Sequence, residues 1–143
     1  MKIKQVHILL VEDNEGDVVL TMDAFEESKI KTQISVVKNG QDALDFLFQR
    51  GSFTKAEKPD LILLDINIPI INGLDVLKEI KLDETLKKIP VIILTTSSNE
   101  NDINTAYKNY ANSYIVKPIE FDDFLKAVLK IEEFWIQLST LAK

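Results

Sequence analysis

The chain has 143 residues, with 17 Lys and Arg against 23 Asp and Glu, for a formal charge of −6. That length suits one domain, since domains run to roughly 100–200 residues, and 45% hydrophobic residues are enough to bury a core. With no Cys and a single His, disulfides, thiolate metal sites, cysteine nucleophiles and multi-histidine relays are excluded, and the acidic balance argues against non-specific nucleic-acid binding.

The first apolar run, Val6–Val11, predicts a strand. Lys2 and Lys4 before it give a faint likeness to a signal peptide, but the run stops at Glu12-Asp13, too short and too acidic for one. Val18, Met22 and Phe25 follow at helical spacing, and Ile34-Ser35-Val36 marks a second, weaker strand. Ala43, Leu44 and Leu47 predict the next helix, and Arg50–Pro59 reads as one long surface loop. The run Leu61–Leu64 precedes a helix carrying Leu74, Leu77 and Ile80. Val91–Leu94 precedes a more polar helix that starts near Glu100 and carries Ala106 and Tyr110. Tyr114–Val116 leads into the last and longest helix, with Phe121, Phe124, Val128, Ile131, Trp135 and Leu138 in phase.

Near-continuous apolar runs of this kind belong to strands buried on both faces. Five β-α units in a row imply a parallel sheet with helices on both sides and right-handed crossovers. No run approaches the roughly 18 residues of a membrane span. The expectation is one cytoplasmic α/β domain, doubly wound, with no membrane or nucleic-acid partner.

In such sheets ligands bind at the carboxyl ends of the strands. Those ends carry Glu12-Asp13, Lys38-Asn39-Gly40, Asp65, Thr95-Thr96-Ser97 and Lys117-Pro118. With strand order 2-1-3-4-5 and strands about 4.8 Å apart, Asp65 is expected between Asp13 and Thr95, with Lys117 one strand further. Carboxylates so close repel one another, and a hard cation such as Mg²⁺ relieves the repulsion while leaving positions for phosphate oxygens. A carboxylate facing a phosphoryl donor can act as nucleophile, and such transfer needs chiefly positioning and charge neutralisation.

Ile8-Leu9-Leu10-Val11-Glu12-Asp13-Asn14, Leu63-Leu64-Asp65-Ile66-Asn67-Ile68-Pro69 with Gly73, Leu94-Thr95-Thr96 and Tyr114-Ile115-Val116-Lys117-Pro118 together resemble two-component response-regulator receiver domains. The resemblance covers roughly residues 5–130 and implies a flavodoxin-like (βα)5 fold that fills residues 1–143 as a single domain. By position it implies Asp65 as phosphoacceptor and Asp13 as direct ligand of Mg²⁺ or Mn²⁺. Glu12 would act through water and Asn67 through its backbone carbonyl. Lys117 would pair with the phosphoryl group, and Thr95 and Tyr114 would move as the switch. Pro69, Gly73 and Pro118 would shape the turns, Pro118 through a cis bond. The family usually has Ala or Gly where Thr96 stands, and often Asp where Asn72 stands.

Among receivers, the chain is most similar to small regulators that partner phytochrome histidine kinases. The likeness rests on the long loop before Pro59-Asp60-Leu61, the run Thr95–Glu100 and the ending Ile131-Glu132-Glu133-Phe134-Trp135. The resemblance implies self-catalysed phosphorylation and dephosphorylation only, a sensor histidine kinase as partner, and output through protein contacts, with no DNA-binding domain expected. Three other readings compete. An unphosphorylated pseudo-receiver would lack the acids, the Thr or the Lys that are all present. A flavin protein would want a Gly/Ser/Thr-rich loop after the first strand. A haloacid-dehalogenase-like phosphatase would want Asp where Asn67 stands.

His7, inside the first run, reads as a packed strand residue, and the charges from Lys78 to Lys88 as a solvated face. Crossing a strand of about six residues takes only about 13 helical residues, so a helix from Phe121 clears the sheet by about Glu133. That leaves residues of about 131–143 as an extension that either folds back on its own domain or, as favoured here, meets a partner or a second copy through Phe134, Trp135 and Leu138.

Overall fold

The structure is a computed structural model that describes residues 5–27 and 31–138, with backbone alone for residues 137 and 138. The Leu138 side chain therefore lies outside the described residues. Strands β1 (Val6–Val11), β2 (Thr32–Val37), β3 (Leu61–Leu64), β4 (Val91–Thr95) and β5 (Ser113–Val116) alternate with helices α1 (Glu15–Glu26), α2 (Gly40–Leu47), α3 (Gly73–Leu82), α4 (Glu100–Lys108) and α5 (Phe121–Ile131). All strand pairs are parallel and the order is β2-β1-β3-β4-β5, as the alternation of runs implies.

Alternate residues of each apolar run face opposite layers. Leu9, Val11, Ile62, Leu64, Val91 and Ile93 pack with Ala43, Leu47, Val76, Leu77 and Ile80 on one side. Ile8, Leu10, Leu61, Leu63, Ile92 and Leu94 pack with Val18, Phe25, Phe124 and Val128 on the other. Every residue of β3 is fully buried. At about 1.5–3 kcal/mol per buried aliphatic side chain, the central strands anchor the edge on which the polar residues stand.

That edge is also where the helices begin, and four start on asparagine. The side chains of Asn14, Asn39, Asn72 and Asn99 accept from first-turn N–H groups of α1, α2, α3 and α4, each worth about 1 kcal/mol. Helix α5 has no side-chain cap.

Three expectations change. The Arg50–Pro59 stretch is not simply a surface loop: it holds a 3₁₀ turn, Gly51–Phe53, whose Phe53 ring stacks 5.6 Å from that of Phe46. Tyr110 does not continue α4; it lies past the end with a φ of 67° and is exposed. Lys81 leaves the supposed solvated face, and its ammonium donates to the carbonyls of Lys87 and Ile89 and to Asn112 Oδ1. Those three acceptors compensate the desolvation that lowers its pKa.

The last helix continues as a π-helix, Glu132–Leu138. Trp135 and Ile136 are half-buried against the α1/α5 layer, while Phe134 is 54% exposed and meets the Trp135 ring edge-on at 5.3 Å. The extension thus folds partly onto its own domain. The wider i→i+5 turn changes the angular spacing of side chains from that of the α-helical stripe.

Candidate functional site

Parallel register decides which acids meet. Val11 pairs with Leu64, and Leu64 with Ile93, so one residue further on Glu12 stands level with Asp65. This corrects the expected pairing of Asp65 with Asp13. Glu12 and Asp65 are buried at 2% and 6% exposure, whereas Asp13 starts the turn into α1 and is exposed. One carboxylate oxygen from each of Glu12, Asp13 and Asp65 nevertheless falls within 4.8 Å of the other two.

Lys117 reaches this cluster from the next edge. Thr95 pairs with Val116, and the Lys117 N–H donates to the Thr95 carbonyl at 2.7 Å. Its ammonium, buried with the acids, donates to Glu12 Oε2 at 2.9 Å, Asp65 Oδ2 at 3.0 Å and Asp17 Oδ2 at 2.8 Å. Asp17 went unrecognised in the sequence because it belongs to a helix and not to a strand end. The signal was present as the spacing Asn14-x-x-Asp17. Asn14 caps α1 and accepts from the Asp17 N–H at 3.0 Å, which places that carboxylate in the first turn, over the site.

Among the described residues all peptide bonds are trans, so Pro118 shapes its turn without the cis bond implied by the resemblance. The trans form is the lower-energy one by about 0.5–1 kcal/mol for an X–Pro bond.

The crowding shows in the acid strengths. Burial, and then the neighbouring Asp65, push the Glu12 carboxyl up to about 8, against the opposing pull of Lys117. Burial also disfavours the Asp65 anion, but Glu12, Thr95 and Lys117 outweigh it and hold Asp65 below the usual carboxylate range. The two carboxyls share one site and titrate as a pair, Glu12 shifted upward and Asp65 downward. Lys117 is raised, because Asp17, Glu12 and Asp65 together overcome its desolvation.

The loop between β3 and α3 holds Asp65 from below. The Asn67 N–H donates to Asp65 Oδ1 at 3.2 Å, and the Pro69 carbonyl accepts from Gly40 and Ile71, tying the loop to α2. A Cβ on Gly73 would lie 2.1 Å from the Asp65 carbonyl oxygen, so this position admits only glycine at such a close approach. Thr95 is fully buried at the end of β4. Tyr114 is half-buried against the α2/α3 layer, and its hydroxyl donates to the Ser97 carbonyl at 2.9 Å, linking β5 to the β4–α4 loop. His7 is buried, with Nε2 2.8 Å from Ser35 Oγ, a packed strand residue as expected.

Three convergent carboxylates supply hard oxygen donors in the number and type that suit Mg²⁺ or Mn²⁺. Burial first, and the nearby Asp65 second, raise the Glu12 pKa, and a divalent cation would favour the ionised form. The donor set fits a divalent metal.

The sequence pattern of the response regulator receiver domain matches residues 8–129. The chain belongs to that family. Receiver relatives of similar length include the response regulator Rcp1 of Synechocystis sp., 41% identical over 134 residues that span 94% of this chain and 91% of Rcp1. A probable methanogenesis regulatory protein, FilR2 of Methanothrix harundinacea, is 40% identical over 90% of this chain and 83% of its own. Two solved receivers superpose closely. The phosphorylated cyanobacterial phytochrome response regulator RcpA has a TM-score of 0.95 at 42% identity, covering 98% of this chain and 100% of its own. The Mn²⁺-bound form of Rcp1 has a TM-score of 0.94 at 40% identity, covering 96% and 99%.

Proposed function

We propose that this receiver takes a phosphoryl group onto Asp65 from a phosphohistidine of a sensor kinase, with Mg²⁺ or Mn²⁺ held by Asp13, Asp65, the Asn67 carbonyl and, through water, Glu12. The observation that carries the reading is the contact of Lys117 Nζ with Asp65 Oδ2 inside a cluster of three convergent carboxylates. An Asp65 oxygen forms the new O–P bond as the donor's N–P bond breaks, and the electron pair leaves on the imidazole nitrogen. Lys117 neutralises charge on the transferring oxygens. A bound divalent cation supplies further positive charge. Thr95 and Tyr114 carry the change outward from β4 and β5. The chain catalyses only its own phosphorylation and dephosphorylation. The likeness to the phytochrome response regulator RcpA supports a phytochrome-type kinase as the donor.

Output passes through protein contacts. Phe134, Trp135 and Leu138 are the candidate self-association surface. Exposed Phe134 and a hollow of about 310 Å³ lined by Ile115, Ala127, Ile131 and Trp135 support this placement.

The test is intact mass after incubation with a small phosphodonor. A gain of one phosphate is expected with Mg²⁺ and not with a chelator, and it is lost in Asp65→Asn. No gain with Mg²⁺ present favours instead a pseudo-receiver that acts only as a binding module.

A further inference from the structure

Among the described residues Lys117 is the only cation within the acidic site, and its hydrogen-bonding capacity is fully used. An ammonium has three donors, and here they meet three different carboxylates: Glu12, Asp65 and Asp17, at 2.9, 3.0 and 2.8 Å. The Lys117 side chain is 5% exposed and that of Asp17 is 25% exposed, so the third partner stands at the rim.

The three partners are not equivalent. Glu12 and Asp65 belong to the group whose oxygens converge within 4.8 Å, and Asp17 does not. A divalent cation that engages the group draws on two of the three carboxyl groups that hold Lys117, and its own charge repels the ammonium. Asp17 is approached from the other direction. It is carried by α1, set by the Asn14 cap and by the Thr21 hydroxyl, which donates to its carbonyl at 2.7 Å.

We propose that Asp17 is a positioning residue that keeps the Lys117 ammonium beside Asp65 after a divalent metal has engaged Glu12 and Asp65. The inference rests on the metal and phosphoacceptor reading above and adds to it a division of labour between carboxylates. Two serve the metal and one serves the lysine, so that both cations stay at the reacting oxygen together.

The test follows the Lys117 ammonium by ¹H–¹⁵N correlation, assigned with Lys117→Arg, during titration with Mg²⁺. Calorimetry gives each variant's metal affinity. In the wild-type chain the signal survives saturation. In Asp17→Asn it is present without metal, where Glu12 and Asp65 still hold it, and is lost on saturation. At saturating Mg²⁺ the rate of phosphorylation by a small phosphodonor falls about tenfold, the size of one charge-assisted hydrogen bond. Asp17→Glu restores signal and rate in part. Asp17→Ser, run in parallel, carries the same expectations should the Asn variant fail to fold.

Survival of the signal in metal-saturated Asp17→Asn overturns the proposal. So does its loss before metal is added, which would make Asp17 a general support. A drop of more than tenfold in Mg²⁺ affinity would make Asp17 a ligand instead. Absence of Mg²⁺ binding by the wild-type chain overturns the parent reading and this inference with it. The signal measurement needs no phosphoryl transfer, so it is separable from the mass test on Asp65.

Discussion

Replacing Glu12 with Gln isolates the energetic consequence of packing two carboxyls at the ends of β1 and β3. The Glu12 carboxyl is pushed from 4.5 up to about 8 by burial and by Asp65. Between those values the folded chain holds a proton that the unfolded chain has released, so stability falls as pH rises, by about 1.4 kcal/mol per pH unit at most. From pH 5.5 to 7.5 the loss is about 2–3 kcal/mol, or roughly 8 °C in Tm for a domain of this size. Asp65 acts in the opposite sense, but its pKa lies below the usual carboxylate range, so its contribution is lost only at more acid pH. Lys117, raised above its ordinary value, contributes across the whole window. Thermal melts of metal-free protein at pH 5.5, 6.5 and 7.5 read the slope directly. Glu12→Gln has no proton to lose and gives a much flatter profile. Saturating Mg²⁺ flattens the wild-type profile, because the cation takes the proton's place. An equal slope in wild type and Glu12→Gln would refute the reasoning.

The remaining predictions concern the surroundings of the same site. Gly73→Ala would drive a methyl to 2.1 Å from the Asp65 carbonyl; it should cost about 1–3 kcal/mol in denaturant melts and weaken Mg²⁺ binding in calorimetry as Asp65 shifts. Thr96→Ala, restoring the small residue usual in the family, should shorten the lifetime of the phosphoryl group, followed by intact mass over time. Trp135→Ala or truncation after Glu133 should weaken self-association in sedimentation while leaving phosphorylation intact; an unchanged assembly would remove the last helix from the interface.

The inner strands β1, β3 and β4 were legible because burial on both faces demands uninterrupted apolar runs, and they have them. The edge strands β2 and β5, with half-buried residues, run longer than the stretches that mark them in the sequence, and β4 extends by one residue to Thr95. The strand ends gave the site's composition, but not which neighbours meet. Whether Glu12 or Asp13 stands opposite Asp65 depends on a one-residue register, and the apolar runs are tolerant of that shift. Asp17 and Lys81 escaped for a related reason. Each is a charged helical residue that by pattern belongs on a solvated face, and each is drawn inward by partners outside its own helix: Lys117 for the first, Asn112 and the Ile89 carbonyl for the second. By length the extension is expected beyond the sheet, yet Trp135 and Ile136 pack back against the core. Its orientation was not legible, since nothing in Glu132–Leu138 announces a change from α to π hydrogen bonding.

Reductive trapping bears most directly on the claim that Asp65 is the phosphoacceptor. Borohydride converts an aspartyl phosphate to homoserine and leaves free carboxylates alone. After incubation with a phosphodonor and Mg²⁺, peptide mapping should find homoserine at position 65 and Asp at positions 13 and 17. Homoserine at either of those positions, or none anywhere, would contradict the account.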